Sequence, residues 1–298
     1  MSFTLTRTFV AALTGAALLL SGCAGLQTKD APRPQAVVKA KPRIALVLGG
    51  GAARGFAHVG VIKSLESHGI TPDIIVGTSA GSVVGALYAA GYGPFELQKL
   101  ALQLDESAVT DWNLFDRGIV KGEALERFIN LQVANKPLEG LKRKFAAVAT
   151  DLQSGEMVIF QIGNTGQAVR ASAAIPGVFA PVTLRGREYV DGGLVSPVPV
   201  KAARALGADI IIAVDISERP SGKRNQSTLD VLLDTISIMG NTISQTELAG
   251  ADVIVRPNIR GLAATSFQSR NEAIIEGERA GLAAVPLVNE RIAAFARR

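Results

Sequence analysis

The feature that most constrains this chain is a short apolar run that ends in a glycine-rich turn. Residues Ile44–Leu48 are all apolar, and Gly49, Gly50 and Gly51 follow them at once. A continuous apolar run of this length, bounded by glycine, is typical of a strand buried on both faces of a parallel sheet. Helix, strand, turn and helix patterns then follow one another, which predicts an α/β protein.

The composition agrees with one large folded domain. The chain has 298 residues, of which 48% are hydrophobic, 19% charged and 5% aromatic, so it can bury a sizeable core. The net charge of +5 includes no run of five basic residues and no interleaved aromatic residues, so we expect no nucleic-acid partner. One cysteine and two histidines exclude an internal disulfide and a Cys/His zinc site. The composition leaves metals with oxygen ligands open, but our overall prediction is a protein with neither a bound metal nor a cofactor.

Residues 1–22 have the pattern of a lipoprotein signal peptide. Arg7 precedes an apolar stretch over Phe9–Leu20 that is too short to span a bilayer comfortably as a helix. The segment ends in Leu20-Ser21-Gly22-Cys23, which resembles the bacterial lipobox, and Cys23 is the only cysteine of the chain. We predict cleavage before Cys23 and lipidation of its thiol, with an ordinary signal peptide as the alternative.

A lipidated cysteine and a flexible tether are predicted for residues 23–42, and one folded domain for residues 43–298. The tether contains scattered prolines, such as Pro32 and Pro34, and no hydrophobic period. Each buried methylene of an acyl chain contributes about 0.8 kcal/mol, so lipidation at Cys23 would hold the protein to a membrane. Ala24, by resemblance to the bacterial sorting rule, favours the outer membrane. We therefore expect a lipid-anchored protein of the cell envelope that faces the periplasm.

A serine stands between two glycines directly after the second predicted strand, Ile74–Val76. The sequence Gly77-Thr78-Ser79-Ala80-Gly81 fits the pattern G-x-S-x-G, and a helix of small residues is predicted from Ser79 to about Ala90. A nucleophile elbow holds its serine in a strained backbone conformation at a sharp turn, so the flanking Gly77 and Gly81 must lack bulk. The pattern predicts Ser79 as a nucleophile.

The turn after the first strand is the candidate oxyanion hole. Its sequence is Gly49-Gly50-Gly51-Ala52-Ala53-Arg54-Gly55, and it opens a helix predicted from Gly55 to about His68. Backbone N–H groups at a helix start can converge on an anionic oxygen, and a phosphate cradle uses the same geometry. A dinucleotide site would need an acidic residue after the second strand, and a P-loop would need Gly-Lys-Ser/Thr; this sequence has neither. A simple tight turn is the remaining alternative.

The base for such a serine is not a late histidine. His58 and His68 both precede Ser79, whereas the usual order in α/β-hydrolases is serine, acid, histidine. A carboxylate is therefore the better candidate, and Asp191 stands directly before two glycines, Gly192 and Gly193. Because Asp-Gly-Gly alone usually marks only a turn, the catalytic interpretation of Asp191 depends on the other two motifs.

These three motifs, in this order, resemble those of the patatin-like phospholipases over roughly residues 43–215. The resemblance implies a three-layer α/β/α fold with a mostly parallel central sheet. It implies Ser79 as nucleophile and Asp191 as base, without metal, acting on the acyl ester of a phospholipid or lysophospholipid. The segment from Arg170 to Pro181 also looks like the one that commonly precedes Asp-Gly-Gly in bacterial members.

The glycine loop departs from the family pattern at one position. The G-x-G-x-x-G window falls on residues 50–55, so Ala52 replaces the middle glycine and would be strained if that position requires a positive φ. The predicted oxyanion hole comprises Gly50, Gly51, Ala52 and Arg54, with Gly50 and Gly51 as the best donors and Arg54 as a supporting cation. The glycines expected to shape the three motifs are Gly49, Gly55, Gly77, Gly81, Gly192 and Gly193.

Three functions remain open from the sequence. The first is a serine acyl-ester hydrolase, of phospholipase A or lysophospholipase type. The second is a non-catalytic outer-membrane lipoprotein that binds a lipid or an anion, and the third is a nucleotide-binding module. Asp151 and Asp215 follow predicted strands but have no assigned role. The apolar cluster around Trp112 is a lid, a membrane-contact patch or simply core.

Further along the chain, the patterns predict a hairpin, two later strands and a helical C-terminus. The predicted elements are strands Lys144–Ala149 and Met157–Ile162, a strand at Tyr189–Val190, a helix near Val200–Leu206, strand Asp209–Val214, a helix near Leu229–Leu248, and strand Ala251–Val255. Two C-terminal helices are expected to meet near Pro286.

Overall fold

The structure, a computed structural model, describes residues 41–105, 120–217, 228–259, 262 and 267–297. The signal peptide, Cys23 and the region around Trp112 lie outside the described residues. Lipidation and the role of Trp112 therefore stay predictions. Among the helices of the described ranges, none combines the length and the apolar character that a membrane crossing requires.

An eight-stranded mixed sheet is the central layer of the described part of the chain. Its strands are β1 Ile44–Leu48, β2 Ile74–Thr78, β3 Lys144–Asp151, β4 Met157–Phe160, β5 Val182–Leu184, β6 Arg187–Asp191, β7 Ile210–Val214 and β8 Val253–Val255. The strand order is β5-β6-β3-β2-β1-β7-β8, and β4 pairs with β3 outside that path. The five strands β3, β2, β1, β7 and β8 pair in parallel, whereas β4, β5 and β6 join through antiparallel pairs.

Helices cover both faces of this sheet. They are α1 Phe56–Ser67, α2 Ala80–Ala90, α3 Pro94–Gln103, α4 Glu123–Gln132, α5 Thr165–Ser172, α6 Val200–Ala205, α7 Thr228–Leu248 and α8 Arg270–Ala296. Alternate residues of β1 point to opposite faces of the sheet and pack in two hydrophobic clusters. Leu46 and Leu48 belong to the cluster that includes α1 and α8, and Val47 belongs to the cluster that includes α6. The three-layer α/β/α architecture is confirmed.

The prediction of two C-terminal helices is wrong, because α8 continues through Pro286. A proline inside a helix costs about 3 kcal/mol through the lost hydrogen bond and the ring clash. Here Pro286 lies on the exposed side, while the opposite face of α8 packs closely on α1. Gly60 and Gly277 allow this approach, since a Cβ atom at Gly277 would overlap the carbonyl oxygen of Ala57. We infer that this packing outweighs the cost of the proline.

The remaining predicted elements are present with small shifts at their ends. Strand β3 extends to Asp151, and β4 ends at Phe160 rather than at Ile162. The structure adds β5, α3 and α4, which were not among the predicted elements.

Strand β3 aligns the ends of β2 and β6. In parallel β2, Thr78 pairs with Val148, and in antiparallel β6, Asp191 pairs with the next residue, Ala149. Strand β4 occupies the other edge of β3 over residues 147–150, so β2 and β6 must share one edge. The residue that follows β2 and the last residue of β6 are therefore held side by side.

Candidate active site

Ser79 occupies the sharp turn between β2 and α2. Its backbone has φ 54° and ψ −124°, a conformation that costs a residue other than glycine on the order of 1–3 kcal/mol. A Cβ atom at Gly77 would overlap the carbonyl oxygen of Gly81, and one at Gly81 would overlap that of Leu48. The steric reason for glycines at both positions is thus visible in the structure, and the turn has the form of a nucleophile elbow.

Hydrogen bonds with two other serines, Ser172 and Ser82, hold this turn. The N–H of Ser79 donates to the Ser172 hydroxyl over 2.9 Å, and that hydroxyl donates to the carbonyl of Val148 over 2.6 Å. The Ser79 carbonyl accepts hydrogen bonds from the N–H and the hydroxyl of Ser82, at 2.8 and 2.7 Å. Sequence reasoning missed Ser172, and the only signal was its place in the segment between Arg170 and Pro181.

Asp191 is the titratable group that the fold brings to Ser79. Burial raises the pKa of this carboxyl to about 6, and hydrogen bonds from the Ser79 side chain and from the N–H of Gly193 act in the opposite direction. The Gly193 N–H donates to Oδ1 over 2.7 Å. The backbone is also fixed, since the Asp191 N–H donates to Ala174 and its carbonyl accepts from Thr150. The structure therefore brings the predicted nucleophile and the predicted base into contact.

The glycine loop lies against Ser79, but its donors differ from those expected. A Cβ atom at Gly50 would lie 3.3 Å from the Cβ of Ser79. However, the N–H of Gly50 donates to the carbonyl of Pro197 over 2.9 Å, so it is not free to bind an oxyanion. This corrects the expectation that Gly50 is a donor. The N–H groups of Gly51 and Ala52 have no acceptor among the described residues. Ala52 has φ 48°, so the strain considered for it is present.

Arg54 and His58 support the loop from the first helical turns. Arg54 is buried, and its Nε donates to the carbonyl of Gly51 over 3.2 Å, so it acts on the loop itself. Nε2 of His58 lies 2.8 Å from the carbonyl oxygen of Gly49. Because full burial lowers the pKa of His58 to about 4, the ring is neutral and carries its proton on Nε2. Sequence reasoning considered His58 only as a candidate base, so it missed this contact.

The other acidic candidates have structural partners. Asp151 pairs with Arg187 and accepts hydrogen bonds from two N–H groups of the following turn, and the Arg187 bond lowers its pKa to about 2. Asp215 pairs with Arg256 over 3.0 Å and caps the N–H of Ser217. Within the described ranges, no group of three or more His, Cys, Asp or Glu side chains is placed to hold a metal ion.

Fold and site together define a class: three-layer α/β/α proteins whose serine elbow after a parallel strand meets an aspartate at the end of an antiparallel one. A family model described as patatin-like phospholipase matches residues 46–204 of this sequence. Because the match covers more than half of the chain, this protein belongs to the patatin-like phospholipase family.

Three relatives agree with this membership. An uncharacterized NTE family protein of Mycobacterium tuberculosis is 36% identical over 206 residues, which is 68% of this chain and 57% of that protein. The human patatin-like phospholipase domain-containing protein 6 is 33% identical over 65% of this chain and 14% of that protein. Lysophospholipase NTE1 of Candida albicans is 35% identical over 58% of this chain and 13% of that protein. The matched part of the chain thus spans less than two thirds of the length of each of these relatives.

The crystal structure of VipD from Legionella pneumophila shares the fold. It superposes with a TM-score of 0.59 at 14% identity and covers 85% of this chain and 67% of that one.

Proposed function

We propose that this protein is a lipid acyl hydrolase in which Ser79 is the nucleophile and Asp191 its base. The observation that carries the proposal is the contact between a strained serine and a buried carboxyl whose pKa is raised to about 6. Perturbed titratable groups beside a candidate nucleophile are typical of active sites. The names of the Candida and human relatives support a phospholipid or lysophospholipid as the substrate.

The first half of the proposed reaction forms an acyl-enzyme. Ionised Asp191 accepts the proton of the Ser79 hydroxyl while the serine oxygen attacks the ester carbonyl carbon. The carbonyl oxygen takes up the electron pair and becomes an oxyanion. The tetrahedral intermediate then expels the alcohol of the lipid, which receives the proton from Asp191, and the acyl group remains on Ser79.

The N–H groups of Gly51 and Ala52 are the proposed oxyanion donors, since they lie in the loop beside Ser79 and have no acceptor among the described residues. A well-placed donor of this kind lowers the barrier by about 3–4 kcal/mol. In the second half of the reaction, Asp191 accepts a proton from water while the water oxygen attacks the acyl carbon. The bond between this carbon and the Ser79 oxygen then breaks, Asp191 returns its proton to Ser79, and the fatty acid leaves.

A serine-directed fluorophosphonate tests this proposal. We expect covalent labelling of the wild-type protein and release of fatty acid from phospholipid or lysophospholipid vesicles. Ser79→Ala should lose the label and lower acyl release at least about a thousandfold, because the nucleophile is gone. Ser154→Ala, at an exposed turn between β3 and β4, is the matched control and should keep both activities.

Two results would contradict the proposal. One is undiminished ester hydrolysis in Ser79→Ala. The other is stoichiometric binding of vesicles by the wild-type protein without acyl release across pH and lipid composition. The second result would favour the non-catalytic lipid-binding function instead.

A further inference from the structure

Glu247, near the end of α7, is a buried carboxyl that the proposed reaction does not use. The residue is 3% exposed, and Oε1 accepts a hydrogen bond from the Ser196 hydroxyl over 2.7 Å. Oε2 has no hydrogen-bond partner among the described residues. Burial raises the pKa of this carboxyl to about 7, while Ser196, the charge of Lys201 and the N–H of Val198 oppose the shift. A buried acid with an unsatisfied oxygen costs folding free energy, so it calls for an explanation.

The segment that Glu247 contacts, residues 196–198, connects the three motifs. The N–H of Ser196 donates to the carbonyl of Gly192, which follows the base, over 2.8 Å. The Ser196 carbonyl accepts the hydroxyl of Thr78, which precedes the nucleophile, also over 2.8 Å. The carbonyl of the next residue, Pro197, accepts the N–H of Gly50 in the glycine loop.

Helix α7 packs directly on this connecting segment. A Cβ atom at Gly240 would lie 3.6 Å from Cγ of Pro197 and 3.8 Å from the carbonyl oxygen of Gly193. Gly240 therefore lies beside the Asp-Gly-Gly turn, at a distance where a Cβ atom would be in ordinary van der Waals contact. Glu247 lies two turns further along and supplies the polar contact to the same segment.

We propose that Glu247 is a positioning residue that, through Ser196, fixes residues 196–198 and thereby the relative placement of Ser79, Asp191 and the glycine loop. The inference rests on the proposed function, since it concerns the geometry of that reaction. Loss of the contact would let the segment shift, and a misplacement of about 1 Å in an active site can cost about a hundredfold in rate.

The test compares Glu247→Ala with Glu247→Gln, which keeps an oxygen acceptor for Ser196. The readouts are the rate of fluorophosphonate labelling at Ser79, and kcat and KM for a water-soluble p-nitrophenyl ester. We expect Glu247→Ala to lower the labelling rate and kcat at least tenfold with KM within twofold. Glu247→Gln should retain at least half of the wild-type kcat. Asp234→Ala, at an exposed position of the same helix, is the matched control and should behave as wild type.

Amide hydrogen exchange supplies a readout that does not need activity. In Glu247→Ala we expect faster exchange at Ser196 and Gly50, whose N–H groups donate within this network, and unchanged exchange in α8. Should Glu247→Ala fail to fold, Ser196→Ala removes the same side-chain hydrogen bond, and the same readouts apply.

Each outcome decides one of the two proposals. Unchanged exchange at Ser196 and Gly50 overturns the positioning role, and so does a wild-type kcat in Glu247→Ala despite faster exchange. A wild-type protein that is neither labelled nor hydrolytic contradicts the proposed function, and the exchange measurement then still shows whether Glu247 holds the segment.

Discussion

At the scale of single residues, strain and burial of polar groups coincide at one place. Ser79 and Ala52 both have positive φ, at 54° and 48°, and Asp191 and His58 are buried titratable groups. Each such feature lowers the stability of the folded state by an amount on the order of 1–3 kcal/mol. Conformations of this kind persist only where the surrounding structure determines them, as the bonds to Ser172 and Gly49 do here.

The raised pKa of Asp191 predicts a pH dependence of the proposed activity. A base acts in its ionised form, so kcat/KM for a soluble ester should rise with pH through about 6 and level off above it. One pH unit below the midpoint, the rate should be about tenfold lower than the plateau. Initial rates between pH 4.5 and 8 measure this limb.

Asp191→Asn serves as the companion variant for that profile. It keeps the size of the side chain but cannot accept the proton, and we expect a loss of about 10³-fold or more. A pH profile that is flat between 5 and 8, or substantial turnover in Asp191→Asn, would show that another group is the base.

Single residues also show where sequence reasoning succeeds and fails at the site. Ser79 was predictable because the elbow has a local signature, with glycines two residues before and after. The prediction that Gly50 donates to the oxyanion was wrong, because its N–H donates to the carbonyl of Pro197, which lies far along the chain. The contacts of Glu247 and His58 were not predicted for the same reason. Nothing near either residue in the sequence indicates the hydroxyl that Glu247 contacts or the carbonyl that His58 contacts.

At the scale of elements, the local pattern predicts strands and helices but not their register. The apolar runs of β1, β2, β3 and β7 are clear in the sequence, and the structure confirms them. Strand β6 pairs with the same edge of β3 as β2 does, starting where β2 ends. Only the pairing of Asp191 with Ala149 in the structure shows this. This register, which no periodicity encodes, is what brings base and nucleophile together.

The contact between α1 and α8 predicts that Gly277→Ala destabilises the protein. The new Cβ atom would overlap the carbonyl oxygen of Ala57, the residue before His58. Overpacking costs about 1–3 kcal/mol and occasionally more, which exceeds the roughly 1 kcal/mol that alanine gains over glycine in a helix. Urea unfolding should show a lower midpoint. Ala283→Ser, on the exposed face of α8, should change stability by no more than about 0.5 kcal/mol. A Gly277→Ala protein as stable as wild type would contradict the close packing.

At the scale of the whole molecule, three buried groups couple folding to proton binding. Burial raises the pKa of Asp191 from 3.8 to about 6 and that of Glu247 from 4.5 to about 7. Burial lowers that of His58 from 6.5 to about 4. Between pH 5 and 6 the folded protein therefore keeps Glu247 mostly protonated and Asp191 at least half protonated, whereas the unfolded chain has released most of both protons. For His58 the order is reversed, because the unfolded chain binds the proton and the folded one does not.

The sum of these three contributions predicts that the wild-type protein loses stability as pH rises from 5 to 6, since the folded state then binds about 0.7 proton more than the unfolded chain. The double variant Asp191→Asn, Glu247→Gln removes both carboxyls and leaves His58, whose contribution to stability grows as pH rises towards 6.5. Its stability should therefore increase over the same interval. Urea unfolding at pH 5.0, 5.5 and 6.0 measures both slopes, with Glu290→Gln, at an exposed position of α8, as a control that keeps the wild-type sign. If the double variant also loses stability with rising pH, groups other than Asp191 and Glu247 determine how the stability changes over this pH interval.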